Sequence, residues 1–185
     1  MPSNRRAQPE AEKRAELISA ACDLFVQDGY DTTPMNRIAQ KAGVTPNTIY
    51  WYFKDKDELL LAVLDTVLQE DLKDYSLVAQ SPLTDQLMWL VERLSRVSTL
   101  MSTLHTRIRV SPALDEWHNR FHALMEQLLV AQLPGPFPVA TRDAEIRIIS
   151  FALEGMVSHQ EEPVMVRKMC EALAARCIAI SQHAL

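Results

Sequence analysis

Glycine is scarce in this chain, with four residues in 185. Strand-rich folds spend glycine on turns, so the scarcity points to helices. No run of about 18 or more apolar residues occurs, which excludes an ordinary membrane-spanning helix. The opening stretch MPSNRRAQPEAEKRAE carries Arg5 and Arg6 but no apolar core, so no secretory signal is expected. The cysteines are Cys22, Cys170 and Cys177, an odd number without zinc-type spacing, and a reduced, cytoplasmic setting is expected. Also missing are a phosphate-binding loop, a dinucleotide fingerprint, a nucleophile elbow and an HExxH pair. Their absence argues against an enzyme, and no cofactor is expected.

What is present is helix-forming and able to build a core. Apolar residues make up 48% of the chain and charged residues 23%, which is enough of both for a globular protein rather than a disordered one. Net charge is −5, unevenly spread. Residues 1–56 hold eight Lys/Arg against seven Asp/Glu, while the remainder holds eleven against seventeen. The negative charge thus sits away from the N-terminal third.

Capping and breaking signals divide the chain. Residues 1–9, with prolines at 2 and 9, read as a flexible arm. An amphipathic helix follows from Glu10 to Gln27, with Leu17, Ala21, Leu24 and Phe25 at helical spacing and Gly29 as its stop. Thr33 and Pro34 start a short helix to Lys41, with Met35, Ile38 and Ala39 facing inward. Gly43 ends it. Thr45 caps a helix from Pro46 to Tyr52, and Asp55 with Glu58 forms a capping box for a long helix striped by Leu60, Leu64, Val67, Leu68 and Leu72. Further helices are expected from Ser81 to Leu104, Ser111 to Gln132, Thr141 to His159 and Pro163 to His183, with a proline-rich loop at Leu133 to Ala140.

Two short helices joined by Lys41-Ala42-Gly43-Val44 make a helix-turn-helix, with Ala39, Val44 and Ile49 packing the pair together. The stretch TTPMNRIAQKAGVTPNTIYWYFKDKDELL resembles the DNA-binding region of the TetR family of bacterial repressors. The matching features are Tyr30 and Thr33, Ile38-Ala39, Ala42-Gly43-Val44, Ile49-Tyr50, Tyr52-Phe53, Lys56, and the run from Glu58 to Leu60. The resemblance covers residues 15–62, about a third of the chain.

It implies an all-α protein. A three-helix helix-turn-helix DNA-binding domain with its arm (residues 1–54) is joined by a long helix to a helical ligand-binding and dimerisation domain (residues 55–185). Thr33 would cap the second helix and meet a phosphate, with Asn36 and Arg37 near the groove. Thr45, Pro46, Asn47 and Thr48 would approach base edges. Tyr50 and Trp51 would touch phosphate, sugar or thymine methyls, and Tyr52, Lys54 and Lys56 would hold the backbone. Many relatives carry His at the position of Tyr52, and Pro34 and Pro46 stiffen both helix starts, which leaves base preference open. A purely internal aromatic cluster is the competing reading of Tyr50 to Phe53. Consecutive helical residues cannot all face inward, so one or two must be exposed.

The implied partners are double-stranded DNA with a palindromic operator, a second copy of the chain, and a small, largely apolar effector that releases the repressor. A ligand-independent DNA-binding or partner-recruiting protein on the same fold is the alternative. Small residues mark a candidate dimer face, Ala152 and Gly155 on one helix and Ala172, Ala175 and Ala179 on the last. Close packing inside one subunit would explain them too. Candidate pocket residues are Met88, Trp89, Met101, His105, Trp117, Phe121, Met125, Phe151 and Met156, each also a plausible core residue. His118, His122 and Glu126 fall on one helical row, but without a third strong ligand a solvated face is preferred to a metal site. Cys170 and Cys177 also share a face and are read as buried thiols rather than a redox pair.

Overall fold

A computed structural model describes residues 10–133, 135, 138 and 140–182. The arm with Arg5 and Arg6, and part of the proline-rich loop, lie outside the described residues. Among the described residues the chain forms helices and no strands: α1 (Glu10–Asp28), α2 (Met35–Lys41), α3 (Pro46–Tyr52), α4 (Lys56–Val78), α5 (Leu83–Arg96), α6 (Ser98–Arg107), α7 (Pro112–Val130), α8 (Arg142–Ser158) and α9 (Pro163–Gln182). None is long and apolar enough to cross a membrane.

Two compact units divide within α4, Met1–Glu70 and Asp71–Leu185. The sequence placed the boundary before this helix, at 54/55. The buried residues of the first half of α4, Leu59, Leu60, Ala62, Val63 and Leu64, fall inside the first unit. Its core also takes Leu17, Ala21, Leu24 and Phe25 from α1, Met35, Ile38 and Ala39 from α2, and Ile49 from α3.

One expected helix is two. The segment from Ser81 to Leu104 breaks at Val97, which leaves the helical region at φ −117° and ψ 22°. Ser95 Oγ donates to the Val91 carbonyl at 2.7 Å, and the run Ser95-Arg96-Val97-Ser98-Thr99 is poor in strong helix formers. The second unit buries Leu87 and Val91 of α5 with Ile149, Leu153 and Met156 of α8 and Cys170, Ala174 and Cys177 of α9. Burial pushes the thiols of Cys170 and Cys177 up to about 11, which keeps them protonated and unreactive near neutral pH.

Candidate nucleic-acid interface and cavity

The turn between α2 and α3 is built by backbone. Gly43 sits at φ +67°, the left-handed region where a side chain is strained. Around it Val44 N–H donates to the Ala39 carbonyl at 2.9 Å and Gly43 N–H to that of Gln40 at 3.1 Å. This pair of bonds is a Schellman stop, which closes α2 and aims the chain into α3. Thr45 then caps α3: its Oγ1 accepts from the Thr48 N–H at 3.3 Å and lies 2.9 Å from the Thr48 hydroxyl. Pro46 takes the first helical position, where a missing N–H costs nothing.

α3 is anchored by one side and open on the other. Ile49 is fully buried, and Phe53 just past the helix is buried with it. Tyr50 and Trp51 stand out into solvent, 53% and 67% exposed. Tyr52 is half-buried, its ring edge-on to Trp51 at 4.7 Å. Large aromatics held open beside Lys54 are costly unless something covers them. Asn36, Arg37, Thr45, Pro46 and Asn47 are exposed as well, and Thr48 is half-buried. Arg37 pairs with Asp28 at 2.9 Å and Lys41 with Asp23 at 2.8 Å, tying α2 to α1.

Two residues sit differently from expectation. Thr33 does not cap α2, because Pro34 occupies the cap position and offers no side-chain acceptor. Thr33 is fully buried and its hydroxyl donates to the Gly29 carbonyl at 2.7 Å, closing the loop after α1. Lys56 is half-buried rather than extended. Its ammonium donates to the carbonyls of Tyr30 at 2.8 Å and Thr33 at 3.2 Å, and it stands 4.1 Å from the centre of the Tyr30 ring. The Tyr30 hydroxyl donates to the Asp57 carboxylate. Tyr30, Lys56 and Asp57 thus lock the α1–α2 loop to the start of α4. That start is capped by Asp55, whose Oδ1 accepts from the Glu58 N–H at 2.9 Å, while Glu58 reaches back to the Lys54 N–H at 2.6 Å.

The profile of the family described as "Bacterial regulatory proteins, tetR family" matches residues 17–63, the span that holds this turn, α3 and the start of α4. Over this span the chain is similar to the TetR family. It is 47% identical over 57 residues to the HTH-type transcriptional regulator HbdR of Aromatoleum sp. strain CIB, a match covering 31% of this chain and 25% of that protein. It is 45% identical over 64 residues to the HTH-type transcriptional regulator TtgR of Pseudomonas putida, covering 34% and 30%. The match therefore spans well under half the length of these curated relatives. The fold extends further. A transcriptional regulator from Rhodococcus sp. Rha1 superposes with a TM-score of 0.74 over 90% of this chain and 96% of its own, at 17% identity. A regulator from Saccharomonospora viridis, solved in complex with choline, superposes with a TM-score of 0.67 over 89% and 94%, at 19% identity.

In the second unit, a cavity of about 610 Å³ lies against α5, α6 and α8. Of the expected pocket residues, Met101 and His105 line it. The others sit elsewhere. Met88 packs on the core cluster, Met156 lies inside it, and Trp117 is buried with its ring stacked on Phe121 at 5.5 Å. Trp89 stands 5.7 Å from Tyr75, Met125 is half-buried, and Phe151 is 65% exposed. The sequence missed Leu94, Arg109, Glu154, Val157 and Gln160 as lining residues. Apolar size was the signal sought, and the lining is mixed, with polar groups beside Leu94, Met101 and Val157. Of the small-residue positions, Ala172, Ala175 and Ala179 are exposed, while Ala152 and Gly155 are half-buried. A methyl group at Gly155 would meet nothing within 4 Å.

Proposed function

We propose that this chain is a DNA-binding transcription regulator of the TetR family, a homodimeric repressor that reads a palindromic operator through the major groove and is released by a small molecule held in the second unit. One observation carries the reading: α3 is seated by the fully buried Ile49 while Pro46, Asn47, Tyr50 and Trp51 are left in solvent. A short capped helix presented this way fits a major groove, with its N-terminal residues at base edges.

A helix of seven residues reaches few base pairs, so specificity calls for two copies with half-sites about 34–36 Å apart. The second unit offers a face for that pairing. Ile148 and Phe151 of α8 are 46% and 65% exposed, beside the open ground around Gly155, and α9 exposes Ala172, Ala175, Ile178 and Ala179. Apolar groups of this size gain by being covered, and the small residues let helices approach closely.

The cavity favours a ligand-controlled regulator over a ligand-independent one. Its mixed lining, with Leu94, Met101 and Val157 beside His105, Arg109 and Glu154, suits an amphipathic effector better than a purely apolar one.

The test is fluorescence anisotropy with DNA from upstream of the chain's own gene, alongside light scattering for mass. Saturable binding by a dimer is expected. Asn47→Ala should lose about 1–3 kcal/mol of preference at particular bases, and Trp51→Ala should weaken binding to all sequences. Unchanged binding in both variants would overturn the assigned surface.

A further inference from the structure

The row of His118 and His122 on α7 does not face solvent as a free helical edge. Both rings are half-buried, and two groups from distant parts of the chain join them. His105 comes from α6 and Glu154 from α8. Glu126, the third member of the sequence row, instead accepts from Arg142 at 2.7 Å. The Nε2 atoms of His118 and His122 are 3.0 Å apart. His122 Nε2 lies 3.4 Å from Glu154 Oε1, and His105 Nε2 lies 3.9 Å from Glu154 Oε2. One donor atom each from His105, His118 and Glu154 can be chosen so that all lie within 4.8 Å of one another.

We propose that His105, His118 and Glu154 form a binding site for one divalent transition-metal ion of the zinc type, with His122 beside them as a further ligand. The donor spacing is the first argument. A tetrahedral ion with bonds of 2.0–2.1 Å to nitrogen sets its donors about 3.4 Å apart. The separations of 3.0, 3.4 and 3.9 Å bracket that edge, and the donors of His105, His118 and Glu154, within 4.8 Å of one another, need to draw in to reach it.

The second argument is protonation. Two Nε2 atoms 3.0 Å apart share at most one hydrogen, so a lone pair faces the cluster whichever tautomer is present.

The third argument is access. His105 and Glu154 also line the cavity, which gives an ion a route in and leaves room for a water or a ligand group beside it. An imidazole-rich set selects zinc, nickel, cobalt or copper over magnesium and calcium, which prefer all-oxygen shells.

The site stands independently of DNA binding, and its test involves no DNA. The untagged full chain, stripped with chelator, is titrated with Co²⁺ by visible absorption and with Zn²⁺ by competition against a chromophoric chelator. One equivalent per chain with a tetrahedral cobalt spectrum, displaced by zinc and not by Mg²⁺ or Ca²⁺, is expected. His118→Ala and Glu154→Gln should each weaken binding by about tenfold or more. His159→Ala, at an exposed position outside the cluster, should leave it unchanged. Should circular dichroism show that either variant is unfolded, His105→Asn and His122→Gln replace it. No saturable binding in the intact chain, or undiminished affinity in the folded cluster variants, would overturn the site.

Discussion

The two units end helices with the same backbone device but different residues. After α2 the left-handed position is Gly43, at φ +67°. After α8 it is Gln160, at φ +51°, where Glu161 N–H reaches the Met156 carbonyl at 3.2 Å and Gln160 N–H that of Val157 at 3.3 Å. Glycine adopts this conformation freely, whereas glutamine pays for it. The first turn is built only for shape, since a methyl group on Gly43 would meet nothing within 4 Å. The second carries a side chain on the cavity wall. Strain that persists where a cheaper residue exists marks a place where the side chain has work to do. The first unit is economical in its geometry, and the second gives up some stability around its cavity.

That contrast can be broken at several points. The largest effect is expected from Phe25→Ala, which empties a fully buried position in the small first unit and should cost about 3–5 kcal/mol by urea denaturation. A cost below about 1 kcal/mol would mean that the unit does not depend on this core. Lys56→Ala removes two hydrogen bonds to backbone carbonyls and a contact with the Tyr30 ring, at about 1–3 kcal/mol in the same assay. Gly43→Ala should cost about 1–2 kcal/mol from backbone strain alone. Gln160→Gly should go the other way, gaining up to about 1 kcal/mol while altering effector binding in calorimetry. A loss of stability there would remove the contrast between the two turns. The smallest change is chemical. Iodoacetamide at neutral pH should label the half-buried Cys22 first and reach Cys170 and Cys177 only after denaturant is added, read by mass spectrometry.

How much could be read in advance follows the same division. The elements of the first unit are set by neighbours in sequence: Thr45 with Thr48, Asp55 with Glu58, Gly43 with the turn it permits. The helix bounds of α3 and the inward residues of α1 and α2 were therefore legible. The internal pairing of Lys56 was not legible because its partners, Tyr30 and Thr33, lie more than twenty residues away. The second unit is governed by such distant pairings. His118 and His122 announce themselves by helical spacing, but His105 and Glu154 reach them only through tertiary packing, and no local pattern contains all four. The break at Val97 left only a faint trace, a few weak helix formers in a row. Phe151 has the composition of a core residue, and only the fold shows that it is exposed.

The position of Lys56 also bears on thermodynamics in salt. Protein–DNA affinity falls with salt because cationic side chains displace ions condensed on the phosphates, with a slope of about −0.9 per phosphate neutralised. An ammonium already committed to the carbonyls of Tyr30 and Thr33 displaces few such ions. Arg37 and Lys41, held by Asp28 and Asp23, contribute in part only. In the proposed operator complex these three cations should therefore add little to the salt slope, which would rest more on the exposed Lys54. Lys56→Ala should lower affinity at every salt concentration by a similar factor, leaving the slope as it was, because on this reading the lysine shapes the proposed DNA-binding surface instead of supplying charge to it.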